Sequence, residues 1–433
     1  MVDFANTPGS THNEGAQAWR PAAARFAPYC WHHETGECGS CPLFDVPYGE
    51  QLATRYDAAA ATLADVIPDE AWLPPVESPA VGIRNRAKMA VTGTIEQPKL
   101  GLTTGVDLCD CQIYLPALRD AFPAIKQFIT LAKLQPYDLT PSSEKITPAK
   151  ARSRGELKYV IVTAASSFDG AAGELMITFV LRSTADLARI KSKLPWLQKE
   201  LPNLKVVSVN IHPEHKATII GDKEIVLTEQ NSLPMDLGIV KLNLGPVSFF
   251  QTNTYIAQKL YETAAEWVNQ LESAGFESSP NGNSSNGVLR IWDLYCGVGG
   301  FALSLAGPHR KITGIELSPE AIANAKAAAA GINGVWFESQ DATRFAVCAH
   351  KKRPDLVVVN PPRRGIGSEL TKWLNDLYGI PYILYSSCNP ITLATDLEKL
   401  SHYKVVKAQL FDMFPNTAHS EILTLLVHSR SLP

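Results

Sequence analysis

The chain has 433 residues, which is too many for one ordinary core and predicts two or three domains. Hydrophobic residues make up 45% of it and charged residues 19%, a balance that excludes a largely disordered chain. The sequence contains no apolar run long enough for a membrane span, and a net charge of −3 means that any nucleic-acid contact must come from local basic patches. The first residues lack the basic and apolar regions of a signal peptide, so we expect a cytoplasmic protein.

Residues 1–28 are rich in Ala, Pro, Asn and Gly without an apolar period, and we expect a mobile tail there. A thiol-rich loop follows, with Cys30, Cys38 and Cys41 spaced as Cys-x7-Cys-x2-Cys-Pro. A fourth thiolate can come from Cys109 or Cys111. In a reducing compartment such a set is a better metal site than a disulfide site. Three clustered thiols and a remote one favour a [4Fe–4S] cluster, with zinc as the competing metal.

The region 29–120 carries this loop and starts a central domain. Beyond a Pro-rich link at 73–75, a predicted strand carries Arg84, Arg86 and Lys88, which suits either RNA phosphates or a solvated strand face. From 121 to 244, strands and helices follow one another in the order typical of an α+β domain with a mostly antiparallel sheet. Its basic loops, with Lys145, Lys150, Arg152 and Arg154 on one of them, favour RNA binding.

The last domain, 245–433, contains five buried strands that each end in a polar residue. These residues are Asp293, Glu316, Asp341, Asn360 and Cys388. Parallel strands of a doubly wound sheet bind ligands at this edge, and an acidic residue after the second strand can accept hydrogen bonds from a ribose. The glycine turn after the first strand reads Gly-x-Gly-Gly rather than the dinucleotide pattern. The spread of these polar strand ends fits S-adenosylmethionine better than a dinucleotide.

The thiol of Cys388 lies in Tyr-Ser-Ser-Cys-Asn-Pro, directly after a buried strand. A strand-end thiol by itself is more often a packing residue than a nucleophile. Because polar residues end all five strands in order, we favour a nucleophile that faces a bound methyl donor over a packing thiol. Glu421 opens the last apolar strand, where it could pair with a lysine or act as a general base.

Four motifs occur together in this half of the chain: Cys-Gly-x-Gly-Gly-Phe at 296–301, Asn-Pro-Pro-Arg-Arg-Gly at 360–365, Ser-Ser-Cys-Asn at 386–389 and Phe-Pro-Asn-Thr-Ala-His-x-Glu at 414–421. Together they resemble the RNA 5-methyluridine methyltransferases, and the resemblance runs from Cys30 to the end. It implies a C-terminal α/β, Rossmann-like S-adenosylmethionine methyltransferase domain, a central α+β RNA-binding domain and an iron–sulfur loop. It also implies Cys111 as the fourth cluster ligand. The cofactor contacts that it implies are Gln251, Tyr295, Glu316 and Asn360, although Asn360 stands where an Asp is common in the family.

The resemblance further implies a mechanism for Cys388 and Glu421. The Cys388 thiolate would add to C6 of a uracil, C5 would attack the methyl group, and Glu421 would remove the C5 proton. The substrate that the resemblance implies is 23S rRNA, at uracil 747, for a monomeric enzyme without a membrane partner. Another rRNA uridine or a tRNA uridine is the alternative. Arg363 and Arg364 would bind RNA phosphate or form structural ion pairs.

Two functions of other classes fit the sequence less well. An N6-adenine methyltransferase also uses Asn-Pro-Pro, but it needs an aromatic residue where Arg363 stands. A non-catalytic RNA-binding iron–sulfur protein would explain the first half of the chain and leave Cys388 and Glu421 without a role.

Overall fold

A computed structural model describes residues 29–139, 154–165, 173–214, 218–275, 287–348, 353–376 and 379–431. The predicted tail at 1–28 and the basic residues Lys145, Lys150 and Arg152 lie outside these ranges. Across the described ranges, every helix is too short or too polar to cross a membrane.

The helices and strands alternate one by one from residue 254 to residue 399, and strands follow one another in groups before that. The helices are α1 Trp31–Glu34, α2 Tyr48–Leu63, α3 Pro116–Leu131, α4 Leu187–Glu200, α5 Thr254–Ser273, α6 Gly300–Ser304, α7 Pro319–Ala328, α8 Ala342–Cys348, α9 Gly367–Leu374 and α10 Pro390–Lys399. The strands are β1 Trp72–Val76, β2 Arg86–Gly93, β3 Pro98–Gly101, β4 Leu157–Ala164, β5 Leu175–Leu181, β6 Leu204–Ile211, β7 Lys223–Val226, β8 Leu233–Asp236, β9 Lys241–Leu244, β10 Leu289–Leu294, β11 Arg310–Glu316, β12 Val335–Ser339, β13 Leu356–Val359, β14 Tyr382–Ser387, β15 Tyr403–Phe411 and β16 Glu421–His428.

The chain divides into two compact units, and both are built from separated segments. The first contains residues 41–78 and everything from 255 onward, and the second contains residues 29–40 and 79–254. The predicted layout differs in two respects: it places 41–78 with the central domain, and it begins the catalytic domain at 245. Sequence patterns report local structure, and they contain no signal for a contact between segments that lie hundreds of residues apart.

The first unit is organised around one eight-stranded sheet in the order β1-β15-β16-β14-β13-β10-β11-β12. All neighbours are parallel except β16, which runs antiparallel to both β14 and β15. The parallel strands are nearly continuous apolar runs because helices cover both faces of such a sheet. Strand β13, for example, is Leu-Val-Val-Val and is buried at every residue.

The sequence Trp-Leu-Pro-Pro-Val, which contains the predicted Pro-rich link, forms strand β1. It pairs in parallel with β15 at the edge of the sheet, with Trp72 opposite Ala408. Proline lacks the amide hydrogen of a ladder bond and is therefore tolerated only in edge strands. The prolines mark the edge of the sheet rather than the absence of a strand.

The second unit contains a six-stranded sheet in the order β3-β2-β4-β5-β6-β7. Its neighbours are antiparallel except for β5 and β6, which confirms the predicted mostly antiparallel sheet. The α3 residues Phe122 and Phe128 and the α4 residue Leu197 are buried with the strand residues Val160 and Phe179 in one core. The second unit also contains the hairpin β8–β9, which was not predicted.

Candidate active site

The site of the first unit lies where the parallel strands end. The chain runs from β10 through β11 to β12 on one side of the sheet and then returns to β13 on the other side of β10. Ligands of doubly wound sheets bind at such a reversal, beyond the carboxyl ends of the strands. Leu294, the last residue of β10, pairs with Ile315 on one side and Val359 on the other. Their successors, Tyr295, Glu316 and Asn360, therefore lie at the reversal.

The turn after β10 is shaped by residues in the left-handed region. Tyr295 has φ 66° and Gly299 has φ 88°, and a side chain other than that of glycine is uncommon in this region. At Gly300 a Cβ atom would lie 2.2 Å from the hydroxyl of the buried Tyr261, so a side chain has no space there. Gly300 is therefore required by its close contact with Tyr261.

Two carboxylates support the turn from β10 and β11. Asp293 is fully buried and accepts a hydrogen bond from the Ala302 amide at 2.9 Å, which ties β10 to helix α6. Burial, with a contribution from Glu316, raises the pKa of Asp293 to about 7. Glu316 accepts hydrogen bonds from the amides of Gly297 (3.3 Å) and Ser318 (2.9 Å). A carboxylate held in this way keeps acceptor capacity for ligand hydroxyl groups.

Asn360 follows β13 and is half-buried. The loop that continues from it is attached to α10, because the Arg363 carbonyl accepts hydrogen bonds from the side chains of Asn389 (3.0 Å) and Thr392 (3.1 Å). The Arg363 side chain lies near the Cys388 thiol and lowers its pKa. Arg364 is exposed and lies near the Tyr295 ring.

A buried aspartate that sequence reasoning missed fixes the same loop. Asp396 on α10 accepts hydrogen bonds from the Ile366 amide at 2.9 Å and the Tyr385 hydroxyl at 2.7 Å. Gly365 lies so close that its Cβ would be 2.3 Å from a carboxylate oxygen of Asp396. Asp396 thereby joins the Asn-Pro-Pro-Arg loop to β14 and α10, and nothing in the local sequence distinguishes it from a helix surface residue.

Cys388 and Glu421 lie together at the end of a pair of antiparallel strands. Ser387 of β14 is opposite Ile422 of β16, so the next residue on each strand is Cys388 and Glu421. Because β16 runs opposite to β14, its first residue lies at the edge where the parallel strands end. Burial and the negative charge of Glu421 raise the pKa of the Cys388 thiol, and Arg363 opposes this rise.

Glu421 is almost completely buried, with 1% of its surface exposed. Burial raises its pKa to about 7, and a hydrogen bond from the Ser386 hydroxyl opposes the rise. A carboxyl group that titrates near neutrality can both accept and release a proton at physiological pH, as a general base requires.

The turn before Glu421 is held by helix α2, from the other end of the sequence. The Arg55 guanidinium forms a buried ion pair with Asp412 at 2.9 Å, and the Tyr48 hydroxyl donates to the same carboxylate at 2.8 Å. Gln51 exchanges two hydrogen bonds with Asn416, whose φ is 64°. These contacts give the loop 412–420 a defined path to Glu421, and they could not be foreseen from the sequence.

Gln251, the remaining predicted cofactor contact, belongs to the second unit. It is 7% exposed, and its carbonyl accepts a hydrogen bond from the Asn85 side chain at 3.0 Å. In the same unit Arg86 donates to the carbonyls of Ser248 (2.8 Å) and Pro246 (2.6 Å). Arg86 therefore has a structural role, whereas Arg84 and Lys88 on the same segment are exposed.

The thiols of the second unit lie on two adjacent loops. His32, between Cys30 and Cys38, contacts Asp110, between Cys109 and Cys111, at 2.9 Å. Burial lowers the pKa of His32, but its hydrogen bonds to Asp110 and Glu37 outweigh this effect and raise the pKa. Across the described ranges, no three His, Cys, Asp or Glu side chains are grouped closely enough to hold a metal ion. Cys41 is assigned to the first unit.

Both candidates for the fourth thiolate are half-buried. Burial raises the pKa of Cys109 far above its usual value, and a hydrogen bond with Asp107 raises it further. Cys111 lies two residues further along the same loop.

Comparisons with known proteins agree with this architecture. Residues 171–429 match the model of a family described as tRNA (Uracil-5-)-methyltransferase. The chain is 45% identical to the 23S rRNA (uracil(747)-C(5))-methyltransferase RlmC of Escherichia coli O6:H1 and equally to that of strain HS of E. coli O9:H4. Each alignment covers 92% of this chain and 99% of the relative.

A solved structure is also similar. It is that of the Pyrococcus abyssi tRNA (uracil-54, C5)-methyltransferase in complex with S-adenosyl-L-homocysteine, at 25% identity and a TM-score of 0.69. The match covers 90% of this chain and 85% of that one. The predicted Rossmann-like methyltransferase fold is thus confirmed, and so is the predicted family: the chain belongs to the RNA (uracil-C5)-methyltransferases.

Proposed function

We propose that this enzyme transfers a methyl group from S-adenosylmethionine to C5 of a uridine in 23S rRNA, namely uracil 747. The observation that carries the proposal is the pairing of Cys388 with Glu421 at the ligand-binding edge of a methyltransferase sheet. A thiol and a buried carboxylate on opposing strand ends are what addition to a pyrimidine ring and later proton removal require. The similarity to the E. coli enzymes supports uracil 747 in particular.

Four residues are proposed to hold the methyl donor. Glu316, already fixed by the amides of Gly297 and Ser318, would accept hydrogen bonds from the ribose hydroxyls. Tyr295 and Asn360 flank the reversal of strand order, where the methionine moiety and the methyl group would be oriented. Gln251 is the fourth contact, proposed from the family resemblance.

The reaction begins at the sulfur of Cys388. Its thiolate adds to C6 of the uracil ring, which makes C5 an enolate-like carbon nucleophile. The Arg363 side chain at the sulfur favours this thiolate. C5 then attacks the methyl carbon of the donor, the new carbon–carbon bond forms, and S-adenosylhomocysteine departs.

Glu421 completes the reaction as the base. It removes the proton that remains on C5, the electrons of that bond form the C5–C6 double bond, and the bond from C6 to Cys388 breaks. The carboxylate then carries the proton, which it can lose again because its pKa is near neutrality. The target base has to leave its stack to reach buried groups of this kind.

We further propose that Cys30, Cys38, Cys41 and Cys111 bind a [4Fe–4S] cluster. The donor set fits such a cluster, because it consists of four unbridged, half-buried thiols. The contact between His32 and Asp110 supports the proposal, since it brings the two ligand loops of the second unit next to each other. When bound, the cluster would join these loops, and no step of the methyl transfer passes through it.

The RNA-binding surface and the location of the enzyme are also part of the proposal. The second unit, with exposed Arg84 and Lys88 on one strand segment, is proposed to bind the RNA backbone. The exposed Arg364 is proposed as a further phosphate contact. An enzyme with this substrate would act as a monomer in the cytoplasm, where the ribosomal RNA is found.

The test is methylation of defined RNAs by the purified full-length protein. With S-adenosylmethionine carrying a labelled methyl group, a 23S rRNA fragment containing uracil 747 should become 5-methyluridine at that position. The same fragment with cytidine at 747 is the control and should remain unlabelled. Label in tRNA but not in the rRNA fragment would favour the tRNA substrate, and no label in either would refute the proposal.

A further inference from the structure

The two serines that precede Cys388 lie on opposite faces of β14, and only one of them shares a face with the catalytic pair. Side chains alternate along a strand, so Ser386 and Cys388 point to the same side. Ser386 is opposite Leu423, and Glu421 lies two residues before Leu423 on the same face of β16. Ser386 is therefore the diagonal neighbour of Glu421, within reach of a long side chain.

The two side chains are in contact. The Ser386 hydroxyl donates a hydrogen bond to a carboxylate oxygen of Glu421, and Ser386 itself is completely buried. Hydrogen bonds to a charged acceptor contribute more than those between neutral groups, and burial strengthens this difference. By contrast, the hydroxyl of Ser387 bonds the backbone of Asn389.

Other titratable groups near Glu421 come from two elements. Cys388 lies beyond β14, and the Tyr261 phenol comes from α5. The pKa of Tyr261 is raised by burial and by the charges of Asp293 and Glu421, so it remains neutral over the working pH range. Burial and the Ser386 hydroxyl are accordingly the two influences on the pKa of Glu421.

We propose that Ser386 is a positioning residue of the reaction, which orients the Glu421 carboxylate toward the C5 proton and stabilises its ionised form. This inference rests on the proposed function, since it assigns a role through Glu421. Without the hydroxyl, the base would be protonated over a wider pH range and free to rotate away from Cys388. Loss of the hydroxyl would slow removal of the C5 proton and the release of the enzyme from the RNA that follows it. Addition of Cys388 and methyl transfer precede that step.

The experiment compares wild type with Ser386→Ala. The substrate is the 23S rRNA fragment with tritium at C5 of uracil 747, and tritium release into water reports removal of the C5 hydrogen. The rate is measured under single-turnover conditions from pH 6 to pH 9. A denaturing gel measures the covalent protein–RNA adduct in the same samples. We expect the midpoint of the rising limb to move up by about one pH unit, the size of one charge-assisted hydrogen bond.

At pH 7 the variant should release tritium roughly fivefold more slowly and accumulate adduct, and at pH 9 it should approach the wild-type rate. Ser386→Thr keeps the hydroxyl and should restore the wild-type profile. Thr424→Val is the matched control, because it removes another buried hydroxyl of the same strand pair, one that donates to the Tyr385 carbonyl at 3.2 Å. Thr424 lies on the other face of β16, and its loss should leave the midpoint unchanged.

An unchanged midpoint in Ser386→Ala would overturn the inference, and so would an equal loss of rate at every pH, which would indicate packing alone. Either result leaves the proposed function intact as long as wild type methylates the fragment. If wild type neither releases tritium nor forms the adduct, the proposed function itself fails.

Discussion

Replacing Glu421 with Gln should make the protein more stable while it stops turnover. Gln has nearly the same shape and can still accept the Ser386 hydrogen bond through its carbonyl oxygen. Gln lacks the negative charge of the ionised Glu421 side chain, and only 1% of the Glu421 surface is exposed to solvent. A buried carboxylate without a cationic partner destabilises the folded state whenever it is ionised.

The size of the effect follows from the pKa of the group. Burial raises the pKa of Glu421 from 4.5 to about 7, so the folded state binds a proton more tightly than the unfolded state. The stabilising protonated form is fully present below pH 4.5, and its contribution is lost as pH rises through 7. At about 1.4 kcal/mol per pKa unit, ionisation costs about 3 kcal/mol at pH 8 and less than about 1 kcal/mol at pH 5.

Urea denaturation of wild type and Glu421→Gln at pH 5 and pH 8 measures this difference. The stability advantage of the variant should grow by about 2 kcal/mol between the two pH values, and constant packing effects cancel in the comparison. Glu338→Gln, at an exposed position of the same sheet, is the control and should show no such growth. At pH 8 the variant should also accumulate the covalent RNA adduct. A stability advantage that is independent of pH would refute the reasoning on the charge, and multiple turnover would remove Glu421 from its role as base.

Three other substitutions in the first unit test the roles of Cys388, Arg363 and Arg55. Cys388→Ala should abolish methylation and adduct formation while calorimetry still detects binding of S-adenosylmethionine, whereas residual activity would exclude Cys388 as nucleophile. Arg363→Gln should move the pH dependence of adduct formation to higher pH, because Arg363 lowers the pKa of the Cys388 thiol, and an unshifted profile would contradict that contact. Arg55→Met should cost about 3–5 kcal/mol in urea denaturation at pH 8, since it leaves Asp412 buried without its cation, and a change under about 1 kcal/mol would show that Asp412 is otherwise compensated.

Sequence reasoning succeeded where the signal is local. The strands β10 to β14 are short apolar runs followed by polar or glycine-rich turns, so both their existence and the residues at which they end could be predicted. The contact of Ser386 with Glu421 was within reach once the two strands were paired, because strand register determines which side chains share a face. The pairing itself could not be derived from either strand alone.

The contacts that were missed join distant parts of the chain. Asp396 looks like an ordinary residue of α10 until the Gly365 loop is folded against it. Arg55 and Asp412 lie in segments with no shared pattern, and their partnership appears only in the folded unit. The prolines of β1 predict a link, because proline usually interrupts a strand. An edge strand tolerates proline, and β1 lies at the edge of its sheet.

The divided first unit has a consequence for how the protein is made. Helix α2 and strand β1 are synthesised before residues 79–254 of the second unit, and their partners in β15 and the turn after it come more than 300 residues later. At 5–20 residues per second, α2 and β1 wait for roughly tens of seconds with their apolar faces uncovered. A chain that stops before residue 403 leaves those faces without cover and also lacks Glu421. Chaperones and proteases that recognise exposed apolar surface would therefore remove incomplete molecules that could bind RNA without ever releasing it.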